Sequence, residues 1–349
     1  MANSDYPFMA RLLHRLALSS AAAIETAFDL ECRLNSKYPQ PVIQAPVFVT
    51  GLARAGTTVI MRALHSSGQF RSLTYRDMPF VTMPRLWQKI SANHRQTAAR
   101  SERAHGDGVM VDFDSPEALD EVFWRGFCGE AYIQPDHLCP HQVDGEIIAK
   151  FRTFVANVLL SESEPKRYLA KNNNSVLRLE ALTEAFADAV ILVPFRDPLQ
   201  QAISLHHQHK KFVQVQQDDR FAGAYMGWLA HHEFGGTHRP FRFDSPYDLH
   251  HHPWQADEIN HWLQIWLATY HHILEMTTRH LPSHFVGYEK LCSEPESQTA
   301  RLAELAKLPA DGLKGADPFR LSPAKTIDGV DEKLLAQCQV VYQAMQDRC

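Results

Sequence analysis

Residues 46–65 place a strand, a glycine loop and a helix in succession, and this order constrains the fold more than any other stretch. Residues 47–50 (Val-Phe-Val-Thr) are apolar or β-branched and predict a short buried strand. Residues 51–56 carry a glycine at each end and predict a tight loop, and residues 57–65 repeat apolar side chains at helical spacing. Such a turn directs backbone N–H groups and a helix N-terminus towards an anion. The stretch therefore predicts an anion-binding site at the start of a helix.

The loop is similar to the nucleotide P-loop, G-x-x-x-x-G-K-[ST], in its spacing but not in its cation. Gly51 and Gly56 keep the spacing, whereas Thr57 stands where the lysine belongs and the cation, Arg54, lies inside the loop. This loop can still hold a phosphate, but it lacks the lysine that contacts a γ-phosphate. The alternative is a glycine turn that only connects a strand to a helix.

A second strand pattern ends in a basic residue. Residues 189–195 form an almost continuous apolar run, as expected for a strand covered on both faces. Arg196 follows this run directly, and Ser204 lies about two turns into the next predicted helix. A guanidinium can bind a phosphate through two hydrogen bonds, and a hydroxyl adds a further donor. Taken alone, Arg196 could equally form a structural ion pair.

Together these stretches resemble the sulfotransferase superfamily, whose donor is 3′-phosphoadenosine 5′-phosphosulfate (PAPS). In that family a strand runs into the loop G-x-[PA]-[RK]-[SA]-G-T-T, and a later motif reads R-[DN]-P-x5-S. The resemblance implies that the loop binds the 5′-phosphosulfate and that the later motif binds the 3′-phosphate. The loop residues implied are Gly51, Arg54, Ala55, Gly56, Thr57 and Thr58, and those of the later motif are Arg196 and Ser204.

Two further stretches agree with this resemblance. Residues 288–291 (Tyr-Glu-Lys-Leu) are similar to a family segment that follows the last core strand, which implies that Tyr288 lies near the adenosine. Lys171 stands where many members have a lysine after the third strand, and the resemblance implies that it reaches the bridge between phosphate and sulfate. With Arg54, Lys171 would offset the negative charge on the departing phosphate.

The general base departs from the family pattern. Cytosolic members carry K-T-H after the third strand, with the histidine as the base, but Asn173 stands at that place and a neutral amide cannot accept the proton. Golgi-type members use a glutamate soon after the loop helix, and Asp77 lies in the corresponding region. His105 is the second candidate, because an imidazole with a pKa of about 6.5 suits base catalysis. Asp77 could instead pair with Arg76 or cap the next helix.

Strands that alternate with helices predict a doubly wound, parallel α/β sheet of about five strands flanked by helices. The resemblance implies the P-loop NTPase-like fold of sulfotransferases. We expect residues 1–45 to form an N-terminal helical arm and residues 46–349 to form the sulfotransferase domain. Residues 206–253 are rich in His, Gln, Gly and aromatic side chains and interrupt the α/β rhythm, which predicts an inserted lid or acceptor-binding segment.

Composition excludes several function classes. The formal net charge of −5 over 349 residues gives no electrostatic reason to expect a nucleic-acid partner. No apolar run is long enough for a membrane span, no secretory signal is visible, and the six cysteines form no C-x-x-C motif, which together predict a cytoplasmic protein with reduced thiols. The twenty histidines form no zinc-binding motif, so we expect no metal.

These observations favour a sulfotransferase that transfers the sulfuryl group of PAPS to an acceptor hydroxyl on a carbohydrate, a lipid or a small molecule. One alternative is a P-loop nucleotide kinase, although the loop lysine is absent. A second alternative is a PAPS-fold binding protein that has lost its activity, which the asparagine at position 173 would support.

Overall fold

A five-stranded, fully parallel sheet forms the centre of the molecule in the computed structural model, which describes residues 8–91, 101–102, 110–111, 118–278, 281 and 283–349. Its strands are β1 (Val47–Val49), β2 (Phe70–Arg71), β5 (Arg167–Lys171), β6 (Val190–Phe195) and β7 (Ser283–Gly287). Their order in the sheet is β2-β5-β1-β6-β7. A separate antiparallel pair consists of β3 (Ser101–Glu102) and β4 (Met110–Val111).

Helices flank the sheet and confirm the predicted doubly wound α/β class. The helices are α1 (Phe8–Leu18), α2 (Ala21–Asn35), α3 (Thr57–Ser66), α4 (Pro84–Ser91), α5 (Glu121–Tyr132), α6 (Gly145–Leu159), α7 (Leu179–Ala185), α8 (Pro198–Asp218), α9 (Arg220–Trp228), α10 (Ile259–Thr278), α11 (Tyr288–Ser293), α12 (Pro295–Leu305) and α13 (Glu332–Gln346). In the described part of the chain, no helix is both long enough and apolar enough to cross a bilayer.

The central strand β1 is buried on both faces and sets the position of its neighbours. Its register pairs Val49 with Lys171 of β5 on one side and with Leu192 of β6 on the other. The backbone N–H of Thr50 donates to Leu192 at 2.9 Å, and that of Asn172 donates to Val49 at 3.0 Å. The loops that follow β1, β5 and β6 therefore begin at the same edge of the sheet, where open α/β sheets bind ligands.

The N-terminal segment, which the sequence predicted as a helical arm, forms two helices. The second of them, α2, starts anew because the chain breaks before it and the Ser20 side chain accepts a hydrogen bond from the backbone of Ala23. Ile24 and Phe28 are buried in the main core, and the Glu31 carboxylate accepts a hydrogen bond from the Arg85 backbone at 2.9 Å. These helices thus pack on the rest of the molecule.

Two other elements have bounds that local pattern did not predict. The second strand is only two residues long, Phe70–Arg71, because residues 74–77 form a capped 3-10 turn. Helix α8 extends through residue 218 and α9 follows it at once, so much of the segment 206–253 is helical. Between α9 and α10 the chain is irregular apart from a short 3-10 turn at Leu249–His251. The limits of an inserted segment remain a prediction.

Candidate active site

The backbone conformation of the glycine loop after β1 requires glycine at both ends of the loop. Gly51 and Gly56 have φ angles of 136° and 89°, which L side chains rarely adopt, and Arg54 has a φ of 69°. A Cβ atom on Gly56 would lie 2.4 Å from the ring of Tyr288, so only glycine allows this close approach. A non-glycine residue such as Arg54 in the left-handed region is a strained position of the kind that clusters at functional sites.

Helix α3 begins at the end of this loop without a side-chain cap. Gly56 is its N-cap residue, and no side chain accepts from the first-turn N–H groups in the described residues. Thr57 and Thr58 are buried in the first turn, and Ala55 is fully buried before it. Uncapped N–H groups at a helix N-terminus favour an anion through their hydrogen bonds and the helix dipole.

A direct hydrogen bond joins the glycine loop to the second motif. The Arg54 Nε donates to the Ser204 Oγ at 3.0 Å, although the two residues lie 150 positions apart. Ser204 lies on α8, the helix that follows β6. The structure thus brings together two residues that the sequence assigned to opposite ends of one ligand.

Arg196 and Tyr288 also lie beside the glycine loop. The guanidinium carbon of Arg196 is 5.9 Å from the centre of the Tyr288 ring, which itself lies against Gly56. The Arg196 Nε is 3.7 Å from a Glu289 oxygen, and it is buried without a hydrogen-bond partner among the described residues. Burial raises the pKa of Tyr288 to about 12, so its hydroxyl stays neutral. This arginine retains an unused donor beside the loop, as a phosphate-binding residue would need.

Lys171 ends β5 at the same edge of the sheet, close to a carboxylate that the sequence analysis missed. Asp120 is 2% exposed, and neither of its carboxylate oxygens has a hydrogen-bond partner in the part of the chain that is described. Burial and the neighbouring Glu121 raise the pKa of Asp120 to about 7, against the opposing effects of Arg178 and Lys171. In the sequence Asp120 is one of two adjacent acids before an apolar helix, a pattern that gives no sign of burial.

The raised pKa of Asp120 gives a pH-dependent prediction. The folded state favours the protonated acid, so its stability is full below the ordinary pKa of 3.8 and falls as pH rises towards about 7. We expect Asp120→Asn, which cannot ionise, to raise the free energy of unfolding at pH 8 by about 2–4 kcal/mol. At pH 4.5 only the first part of this loss has occurred, so the variant should exceed the parent protein by only about 1 kcal/mol.

Thermal unfolding at the two pH values measures this effect. The exposed Asp311 offers a control, since Asp311→Asn should leave the melting temperature unchanged at both values. A change in stability for Asp120→Asn that is the same at pH 4.5 and at pH 8 would show that ionisation of Asp120 is not its cause.

Of the two candidates for the general base, Asp77 and His105, the structure describes only Asp77. Asp77 is buried, and its Oδ1 accepts from Arg71 at 2.6 Å while its Oδ2 accepts from the Thr74 backbone at 2.7 Å. It therefore pairs with Arg71, not Arg76, and caps the 3-10 turn. These contacts favour the structural alternative, and its role as the base remains a prediction. His105 lies outside the described residues, so its role also remains a prediction.

Asn173, the residue at the family's base position, contacts a carboxylate from the segment 206–253. Its Nδ2 donates to the Glu233 Oε1 at 3.0 Å. A cavity lies beside this pair, between the glycine loop and the chain around residue 240. Its lining includes Leu52 and Ala53 of the loop, the polar residues Glu233 and Arg239, and the aromatic residues Phe241 and Trp262. No local pattern identified Glu233, because its partner lies 60 positions away.

The histidines of this region are packed as neutral side chains. The Nε2 atoms of His238 and His261 are 3.1 Å apart, and burial lowers the pKa of His261 to about 4 and that of His238 to about 3. Among the described residues, no group of three His, Cys, Asp or Glu side chains is arranged to hold a metal ion. The expectation of a metal-free protein remains a prediction.

Comparisons with known proteins identify a family and a fold. A family model described as the sulfotransferase family matches residues 46–243, more than half of the chain. A solved sulfotransferase from Mycobacterium tuberculosis is 13% identical, with a TM-score of 0.53 over 99% of this chain and 88% of that one. One from Mycobacterium avium is 13% identical, with a TM-score of 0.50 over 99% of this chain and 87% of that one. At this identity the structures show a shared fold alone. No curated protein matches the sequence.

Proposed function

This chain belongs to the sulfotransferase family, and from that premise we propose that it transfers the sulfuryl group of PAPS to an acceptor hydroxyl. One observation carries the proposal. The 3.0 Å hydrogen bond between Arg54 and Ser204 joins the glycine loop to the motif that follows β6. A donor with a phosphosulfate at one end and a 3′-phosphate nearby needs both groups at one site.

The glycine loop is the proposed site of the 5′-phosphosulfate. Its fit to that group is supported by the uncapped start of α3 and by the close packing of Gly56 against Tyr288. Arg54 and Lys171 supply positive charge towards the leaving phosphate. In this role they act as fixed charges that stabilise the transition state more than the ground state.

Arg196 and Ser204 are the proposed residues that select the 3′-phosphate. The buried Arg196 Nε has no hydrogen-bond partner among the described residues, and a phosphate oxygen would give it one. Nucleotides that lack a 3′-phosphate, such as ADP and ATP, would leave this donor unsatisfied. Such nucleotides are therefore expected to bind more weakly.

The proposed reaction is an in-line transfer. The acceptor oxygen attacks sulfur, the bond from sulfur to the bridging oxygen breaks, and adenosine 3′,5′-bisphosphate leaves with the bonding electron pair. A single sulfuryl group carries less charge than a triphosphate, so arginine, lysine and backbone N–H groups can suffice without a divalent metal.

A ligand-binding experiment tests this function against the kinase alternative. We expect adenosine 3′,5′-bisphosphate in EDTA to stabilise the protein by about 2.7 kcal/mol at a hundred times its Kd, and ADP or Mg-ATP to do so far less. Turnover of labelled PAPS should persist in EDTA. A response to Mg-ATP alone, or turnover that stops in EDTA and returns with Mg²⁺, would contradict the proposal and favour a kinase. Bisphosphate binding without any turnover would favour the inactive binding protein.

A further inference from the structure

We propose that the acceptor hydroxyl binds in the cavity between the glycine loop and the segment 206–253, and that the Glu233 carboxylate accepts its proton. The proposal rests on the proposed sulfuryl transfer, since it assigns the acceptor side of the same site. The cavity has a volume of about 20 Å³, which is room for the hydroxyl alone, so the apolar or aromatic body that carries it lies at the cavity mouth.

The position of Glu233 is fixed by Asn173. Asn173 is 5% exposed and begins the 3-10 turn that follows β5, two residues after Lys171. Its amide donates to Glu233 Oε1 at 3.0 Å, and the described residues supply no hydrogen bond to Oε2. The amide thus orients the carboxylate and leaves one oxygen available to a ligand. An asparagine that cannot accept the proton itself can in this way position a group that does.

The Glu233 carboxylate and the glycine loop share one cavity. Its lining includes Leu52 and Ala53 of the loop together with Glu233 and Arg239. A hydroxyl in this cavity lies between the loop that would hold the sulfuryl group and a group that can accept a proton. General base catalysis depends first on this geometry and only then on the pKa of the base.

The walls of the cavity indicate the chemical class of the acceptor. Apart from its few polar side chains, the lining is apolar or aromatic and includes Leu138, Leu205, Phe241, Trp262 and Ile265. His238, which also lines the cavity, is neutral because burial lowers its pKa to about 3. Such walls favour an apolar carbon next to the bound hydroxyl, whereas further sugar hydroxyls placed there would lose hydrogen bonds to water.

Other carboxylates near the site are less suited to this role. Both oxygens of Asp77 accept hydrogen bonds from Arg71 and Thr74, and Asp120 is 2% exposed and is not among the residues that line the cavity. Glu233 is half-buried and does line it.

The proposed step balances without a further reactant. The acceptor O–H bond breaks and its proton passes to Glu233, while the new O–S bond forms. The bond between sulfur and the bridging oxygen breaks, and its electron pair leaves on adenosine 3′,5′-bisphosphate. Release of the proton to water restores the carboxylate.

The test compares turnover with donor binding. We expect Glu233→Gln to lower turnover of PAPS with 2-naphthol by about 10²–10⁴-fold while calorimetry gives an unchanged affinity for adenosine 3′,5′-bisphosphate. Glu233→Asp, which keeps a carboxylate, should recover part of the rate. Asp244→Asn, an exposed change in the same segment, should leave both quantities unchanged.

The outcomes separate this inference from the proposed function. Donor binding with near-full turnover in Glu233→Gln overturns the role of Glu233 and leaves the sulfotransferase function standing. A parent protein that sulfates glucose in preference to 2-naphthol, or sulfates neither, overturns the apolar acceptor. A parent protein that binds no adenosine 3′,5′-bisphosphate overturns the proposed function and this inference together.

Discussion

Replacing Arg178 with methionine is expected to lower the free energy of unfolding by about 3–5 kcal/mol. The Arg178 side chain is completely buried, and it donates to the two carboxylate oxygens of Glu121 at 2.8 and 3.3 Å. Burial raises the pKa of Glu121, but the charge and hydrogen bonds of Arg178 outweigh it and hold that pKa below its ordinary value. Methionine would leave the carboxylate buried without its partner cation. Urea denaturation at pH 7 measures the loss.

Two controls identify the cause of this loss. The double change Arg178→Met with Glu121→Gln removes both charges and should recover part of the stability. Lys150→Met breaks an exposed pair with Glu146 and should cost less than about 1 kcal/mol. A single Arg178→Met variant as stable as the parent protein would show that the buried pair does not stabilise the fold.

Truncation of Arg196 to alanine is expected to weaken binding of adenosine 3′,5′-bisphosphate by about 2–4 kcal/mol, or roughly 30- to 1,000-fold. The physical reason is the loss of a charged donor whose Nε has no hydrogen-bond partner among the described residues. Ser204→Ala removes a single hydroxyl donor and should cost about 1 kcal/mol. Isothermal titration calorimetry measures both effects.

Adenosine 5′-monophosphate provides the matched ligand, because it lacks only the 3′-phosphate. Its weaker binding should change little in Arg196→Ala, and the exposed change Arg15→Ala should affect neither ligand. An unchanged affinity of Arg196→Ala for the bisphosphate would remove the 3′-phosphate role. An equal loss for both ligands would instead show a general disturbance of the loop.

The conformation of the glycine loop and the positions of Arg196 and Tyr288 were predictable because their signals are local, and donor binding at these residues remains a prediction. The positive φ angles at positions 51 and 56 favour glycine, and both glycines lie within one loop. Arg196 follows a strand whose apolar run is visible in the sequence. Tyr288 was expected near the adenosine, and the structure places its ring against Gly56. These residues lie at the ends of regular elements, where sequence pattern is most informative.

The contacts of Asp77 and Asn173 were not predictable because they depend on how the chain turns and folds back. One alternative from the sequence paired Asp77 with Arg76, whereas its partner is Arg71, which the capped turn places beside it. The pairing of Asn173 with Glu233 depends on how the segment 206–253 folds back over the sheet edge. Neither contact has a periodicity or a spacing that a sequence pattern could detect.

Helix α8 has a consequence for exchanging acceptor specificity between relatives. It carries Ser204 near its start, and further along the Gln216 Oε1 accepts from the backbone of Gly236 at 2.7 Å, close to Glu233. One continuous helix thus carries Ser204 of the proposed donor site and also holds the segment that contains Glu233 of the proposed acceptor site. A graft that cuts within this helix would break its backbone hydrogen bonds. A graft of residues 229–258, between α9 and α10, would place both junctions outside that helix.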